Sequence, residues 1–153
     1  MVDDLTAGDL DAIEWSGGPM HIENVAMQLG RVAAGEVEYL VVRDDTGAPV
    51  SKGAIDYVHH PGAGWIMQLA TRADLQGRGL CTQLMAEAER RIAARGLTEA
   101  KLGVEEDNPR ARALYERLGY VECGSEPESW DHLVDGKVER YETVCTVLRK
   151  PLR

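Results

Sequence analysis

Apolar residues recur along the chain with two periods. Ile22, Val25, Leu29 and Val32 are spaced by three, four and three, which puts them on one face of an amphipathic helix ending near Gly35. Leu80, Leu84, Met85, Ala88 and Ile92 repeat in the same way from Gly79 onward, with Glu87, Arg90, Arg91 and Arg95 largely opposite and Gly96 placed to cap the end. A shorter helix is opened by Asn108 as N-cap and Pro109 in the first turn; Ala111, Leu114, Tyr115 and Leu118 share its inner face, and Gly119 closes it. Thr6-Ala-Gly-Asp9 has the form of a capping box ahead of Leu10 and Ile13, predicting a short first helix.

The segments between these helices are rich in β-branched and aromatic residues. Val37 to Arg43 and Val50 to His60 flank a turn-rich connection at 44–49 and read as two strands, and Pro61 to Gly64 turns the chain into a third at Trp65 to Thr71. Glu99 to Glu105 is a further strand, parallel to the one at Trp65 because a helix crosses between them. Tyr120 to Cys123 begins a sixth strand, Gly124 to His132 reads as a polar loop, and Val138 to Leu148 reads as the last strand. This order gives an α/β (α+β) fold: a twisted, mixed, mainly antiparallel sheet of six to seven strands with helices on both faces.

With 153 residues the chain suits a single domain spanning 1–153. Its formal charge of -9 argues against nucleic acid as a partner, since that binding depends on Lys and Arg neutralising phosphates, and it permits a cationic one. Cys81, Cys123 and Cys145 are odd in number and widely separated, without zinc-ligand spacing, so reduced thiols in a cytoplasmic protein without a metal are expected. No membrane span and no signal segment is read from the sequence. The chain has three Trp, five Tyr and no Phe, so any aromatic outside a packed face is a candidate for function.

Gln76-Gly77-Arg78-Gly79-Leu80-Cys81 lies between a strand and a helix, where free backbone N–H groups meet the positive end of the helix dipole and can cradle an anion such as phosphate. Two nucleotide motifs are excluded. The dinucleotide fingerprint would need Gly or Ala where Thr82 stands, and no Gly-Lys-Ser or Gly-Lys-Thr of a P-loop occurs. What remains is Gln-x-x-Gly-x-Cys at 76–81, followed about 30 residues later by Asn108-Pro-Arg-Ala-Arg-Ala-Leu-Tyr115-Glu-Arg-Leu-Gly119-Tyr120. The pair resembles the GNAT superfamily of acyl-CoA-dependent N-acetyltransferases, over roughly residues 36–149. That family's pyrophosphate loop reads Gln or Arg-x-x-Gly-x-Gly or Ala, so Cys81 replaces a smaller residue. A first strand, usual in the family, is here short or missing, because only Met1 to Leu5 precede the capping box.

The resemblance implies acetyl-CoA (coenzyme A) as co-substrate, held by the N–H groups of Gln76, Gly77, Arg78, Gly79, Leu80, Cys81 and Thr82. It also implies that the strand at Trp65 splays from its neighbour, so that Leu69 faces the thioester carbonyl and Thr71 the pantetheine amide, as preformed donors aimed at developing charge. Asn108 belongs to the helix that closes over the thiol end, and Tyr115 is the expected acid for the departing thiolate. Glu105, at the end of the strand nearest the thioester, is the first candidate base, with Glu106 and Asp56 behind it. His59 and His60 are either bases or solvated. A covalent route through cysteine is set aside, because no His with a positioned partner can be placed beside one. Trp15 and Trp130 are candidate walls of the acceptor site, with packing under the first helices as the other reading of Trp15. The implied reaction is direct attack by a primary amine, of a small molecule or of a protein, on the thioester. The alternative is a non-catalytic acyl-CoA-binding or sensing module with the same fold. A homodimer is possible.

Overall fold

The alternation of side chains along the strands sorts them onto two faces, and a helical layer covers each. The structure, a computed structural model, describes residues 2–152. In chain order the elements are β1 (Val2–Asp4), two 3₁₀ turns (Ala7–Ala12 and Glu14–Ser16), α1 (Pro19–Ala33), β2 (Val37–Arg43), β3 (Pro49–Asp56), β4 (Gly64–Thr71), a 3₁₀ turn (Ala73–Leu75), α2 (Leu80–Ala94), β5 (Glu99–Glu105), α3 (Pro109–Arg117), β6 (Val121–Val134) and β7 (Lys137–Pro151). They form a seven-stranded sheet in the order β1-β2-β3-β4-β5-β7-β6. Every pairing is antiparallel except β4 with β5, which are parallel as the crossover through α2 requires.

On one face Leu40, Val42, Ile55, Ile66, Leu102 and Val104 pack with Leu84, Met85, Ala88 and Ile92 of α2 and with Tyr115 of α3. On the other, Val37, Tyr39, Val41 and Ala54 pack with Val25 of α1, Ile13 and Leu5. The apolar stripe read for α2 is therefore its buried face. In α1, Val25 is fully buried, whereas Val32, read on the same stripe, is exposed near the helix end.

One expectation left open is decided and three others shift. The first strand exists and is short, with Val2 opposite Val42. The Thr6–Asp9 capping box forms, but the turns it opens are 3₁₀. The second hairpin strand ends at Asp56 instead of His60, because the Asp56 carboxylate accepts the N–H groups of Val58 and His59 and bends the chain. Residues 124–132 are not a loop: they belong to β6, a 14-residue strand at the sheet edge that runs to a two-residue turn at Asp135-Gly136, both with positive φ. An edge strand exposed on both faces carries no hydrophobic alternation, and it tolerates Pro127.

The feature that shapes the site is a bulge in β4. Ala54 faces Met67 but Lys52 faces Ala70, so Gly53 alone is opposite both Gln68 and Leu69, and Gln68 takes φ 54°. Just before it, pairing between β4 and β5 stops at Ile66 opposite Leu102. From Met67 onward β4 has no strand partner on that side among the described residues, and the sheet is split open. Gly53 is needed because a Cβ there would lie 2.5 Å from Leu69 Cδ2 and 2.9 Å from Leu84 Cδ2. Gly53→Ala is expected to lower stability by about 1–3 kcal/mol through overpacking, read as a lower urea midpoint with unchanged slope.

Candidate active site

Two cavities meet across the bulge, one on each face of the sheet. The cleft on the α2 and α3 face has a volume of ≈ 500 Å³ and is lined by Leu69, Thr71, Gln76, Gly77, Gly79, Leu80, Cys81, Thr82, Asn108 and Tyr115, among others. These are ten of the eleven residues expected to hold the cofactor; Arg78 alone is not in the lining. Gly77 and Gly79 both have φ 79°, with nothing within 4 Å of where a Cβ would be. Gly79 is the N-cap of α2 and has no side chain to cap it, so the first N–H groups of the helix are left to a ligand in the cleft. A phosphate fits this donor set without any buried cation.

Asn108 is the N-cap of α3 and accepts the Ala111 N–H at 3.2 Å. That bond caps the start of α3, and Tyr115, two turns on, lies in the cleft wall with 8% of the residue exposed. Burial, and then the nearby Cys81, raise the Tyr115 pKa far above its ordinary value, so the phenol keeps its proton and remains a donor. Burial also raises the Cys81 thiol, which makes a thiolate nucleophile there unfavourable.

The groove on the α1 face has a volume of ≈ 790 Å³ and runs between the start of α1, β4 and β6. Trp65, Met67, Gln68 and His21 line it on one side and Trp130 on the other, with Glu128 and Asp131 and no Lys or Arg in the lining. Trp130 lines this groove from a strand, β6, instead of from a loop. Trp15 does not line the groove: it packs against the α1-face cluster and its Nε1 donates to the Ala12 carbonyl, although Ser16 and Gly17 beside it do contribute.

The carboxylates fall in different surroundings. Asp56 is locked by a bidentate pair with Arg31, at 2.7 and 3.1 Å. Burial opposes its ionisation, but Arg31 and the two backbone N–H groups outweigh this and hold its pKa below the usual range. That makes it a brace. Glu105 sits in a separate cavity beside Glu106, outside the groove, and accepts the Tyr141 hydroxyl at 3.3 Å. Burial first, and Asp107 second, raise its pKa. Tyr141 in turn packs on Trp130, with ring centroids 4.6 Å apart. His59 and His60 face neither cavity; both bond to Glu126.

Beneath the bulge is a polar cluster that sequence reasoning missed. Lys52 is fully buried in β3, and its Nζ donates to the Tyr39 hydroxyl and to the Gln68 carbonyl, each at 3.0 Å. Tyr39 donates onward to Gln68 Oε1 at 2.7 Å. Both the backbone and the side chain of the bulged residue are thus held from below. Alongside, the ring of His21 is kept neutral, its pKa pushed down to about 4 by burial and then by Lys52, and its Nε2 is the one buried side-chain polar atom without a partner among the described residues. A lysine between Ser51 and Gly53 in an otherwise buried strand was the available signal.

The profile of the acetyltransferase (GNAT) family matches residues 9–120, a span that holds the bulge, the glycine loop and α3. The chain belongs to the GNAT family of acetyltransferases. An acetyltransferase of Yersinia enterocolitica is 30% identical over 94 residues, covering 61% of this chain and 65% of that protein. Among solved structures, a ribosomal-protein-alanine N-acetyltransferase from Brucella melitensis superposes with TM-score 0.73 at 17% identity, over 99% of each chain. A chimeric spermidine N-acetyltransferase from Vibrio cholerae gives 0.75 at 18%, over 99% of this chain and 94% of that one. A phosphinothricin acetyltransferase from Sinorhizobium meliloti, solved with AcCoA, gives 0.74 at 16%, over 99% and 88%. These likenesses establish the GNAT fold. Among the described residues no helix is long and apolar enough to cross a membrane.

The buried lysine makes this fold sensitive to alkaline pH. Burial pushes the Lys52 pKa down to about 8, against ~10.4 when unfolded. Between these values the unfolded chain binds the extra proton, so stability rises with pH across that window. The rise is expected to reach about 3 kcal/mol. In Lys52→Met the denaturation midpoint should lose this component, seen as a flatter difference curve between pH ~8 and ~10.4.

Proposed function

We propose that this GNAT acetyltransferase moves an acetyl group from acetyl-CoA to a primary amine by direct attack. The observation that carries the reading is the meeting of the two cavities at the bulge: Gln68 lines the groove on one face, and Leu69, the next residue, lines the cleft on the other. An acyl donor in the cleft and an amine in the groove would reach each other only where β4 and β5 part.

Bound acetyl-CoA supplies the acyl group as a thioester. The N–H groups of residues 76–82 would hold its pyrophosphate, and the open edge of β4 at Leu69 and Thr71 its pantetheine arm and carbonyl oxygen, with donors fixed before charge develops. On the groove side, Glu128 and Asp131 favour a cationic amine, and the aromatic faces of Trp65 and Trp130 suit one as well. An alkyl ammonium must shed a proton before its nitrogen can form the new C–N bond. Glu105, outside the groove, takes that proton through intervening water, with the Tyr141 hydroxyl holding its carboxylate in place. Tyr115 returns a proton to the thiolate as the C–S bond breaks. The structural neighbours include enzymes named for spermidine and for ribosomal-protein alanine, and an acidic groove open at its mouth is consistent with a small polyamine-like acceptor or a protein amino group.

Two experiments test these roles. Tyr115→Phe should lower kcat by about 100-fold or more while calorimetry shows acetyl-CoA affinity within a few-fold of the parent. An unchanged rate across an amine panel would favour a non-catalytic acyl-CoA-binding module. Glu105→Gln should lower kcat and flatten the acid limb of the pH–rate profile, because activity falls as pH drops through the raised Glu105 pKa and the amide has no proton to gain.

A further inference from the structure

We infer that His59, His60 and Glu126 form a binding site for one divalent transition-metal ion of the zinc class, joining the turn after β3 to β6. The Nε2 atoms of the two histidines lie 2.7 and 2.8 Å from the two oxygens of the one carboxylate. All the donor atoms fall within 4.8 Å of one another. Two imidazoles and a carboxylate form a set that suits Zn²⁺, Co²⁺ or Ni²⁺, whereas Mg²⁺ and Ca²⁺ want oxygen alone. Three protein ligands also leave a fourth position for water or another ligand. His59 is the most open of the three, with 45% of its side chain exposed against 23% and 22% for His60 and Glu126, which gives an ion a route in.

The ligands are held before any ion arrives. The His60 ring stacks on Trp65 at 4.7 Å and 12°, and the His59 ring lies against the same indole. The turn that carries both histidines is fixed by Asp56, which accepts the Val58 and His59 N–H groups and is itself clamped by Arg31. Glu126 comes from β6, where it pairs with Cys145 in register. An ion between them would replace two hydrogen bonds with metal–ligand bonds and pin the β6–β7 ribbon at its base. Trp130 is on that ribbon and Trp65 lines the groove opposite it, so the ion would also fix the spacing of two groove walls.

The bland reading is that two imidazoles simply share a carboxylate. The two readings part on the tag-free, chelator-treated protein titrated with Zn²⁺ alone. The metal site requires saturation at one equivalent, a higher melting temperature, and shifts in the imidazole NMR resonances of His59 and His60 but not of His21 and His132. Co²⁺ in the same role should give visible d–d absorption. Glu126→Gln keeps the shape and one hydrogen-bond acceptor, and it should weaken Zn²⁺ binding by more than about 100-fold without changing the circular dichroism. No uptake at one equivalent, uptake reported by His21 or His132, or unchanged affinity in Glu126→Gln would each overturn the assignment.

Discussion

A lysine ammonium sealed inside a β-sheet without a carboxylate is a costly arrangement, and the rest of the site depends on it. Lys52 has two oxygen partners, the Tyr39 hydroxyl and the Gln68 carbonyl, and the second belongs to the residue whose backbone departs from strand geometry. A non-glycine residue with positive φ in mid-strand persists only where its surroundings over-determine it. Here Lys52 holds its carbonyl, Tyr39 its side chain, and Gly53 across the strand leaves room for Leu69. The bulge in turn spoils the register that would let β4 continue along β5. The opening between them is therefore a consequence of packing beneath the sheet, already present before any ligand.

The non-apolar residues of β3 follow the same logic. All eight of its residues are buried, yet Ser51, Lys52, Gly53 and Asp56 are poor choices for a core strand. Each has a partner on β4, on α1 or on the next turn: Ser51 bonds to Thr71, Lys52 to Gln68, Gly53 receives Leu69, and Asp56 binds Arg31. The strand gives up hydrophobic contact to shape its neighbour. Packing alone would have made it more regular and left the sheet closed.

What could be read from the chain follows from which forces are local. The α2 stripe and the Asn108-Pro109 opening of α3 are set by spacing and capping within a few residues, and both are found as read. The loop at 76–82 carries its signal in glycines, and the structure gathers these residues, Arg78 excepted, with Asn108 and Tyr115 around one cleft. The β6 strand was hidden because, at an edge with both faces wet, nothing repeats; the Asp135-Gly136 turn was the only cue. Lys52, His21 and the Glu126 pairing with His59 and His60 were illegible for a different reason. The partners of Lys52 lie 13 and 16 residues away and those of Glu126 66 and 67, the His21 ring lies near Lys52, and only the folded sheet brings these groups together. Of the two readings of Trp15, the structure shows the packed one, its indole N–H donating locally to the Ala12 carbonyl.

Setting the two cavities on opposite faces of one sheet has a kinetic corollary. Ligands that approach from opposite sides need not pass one another, so neither has to arrive first, and each product can leave by the door its precursor used. The sheet then acts as a partition with a single window, and traffic on one side is independent of traffic on the other.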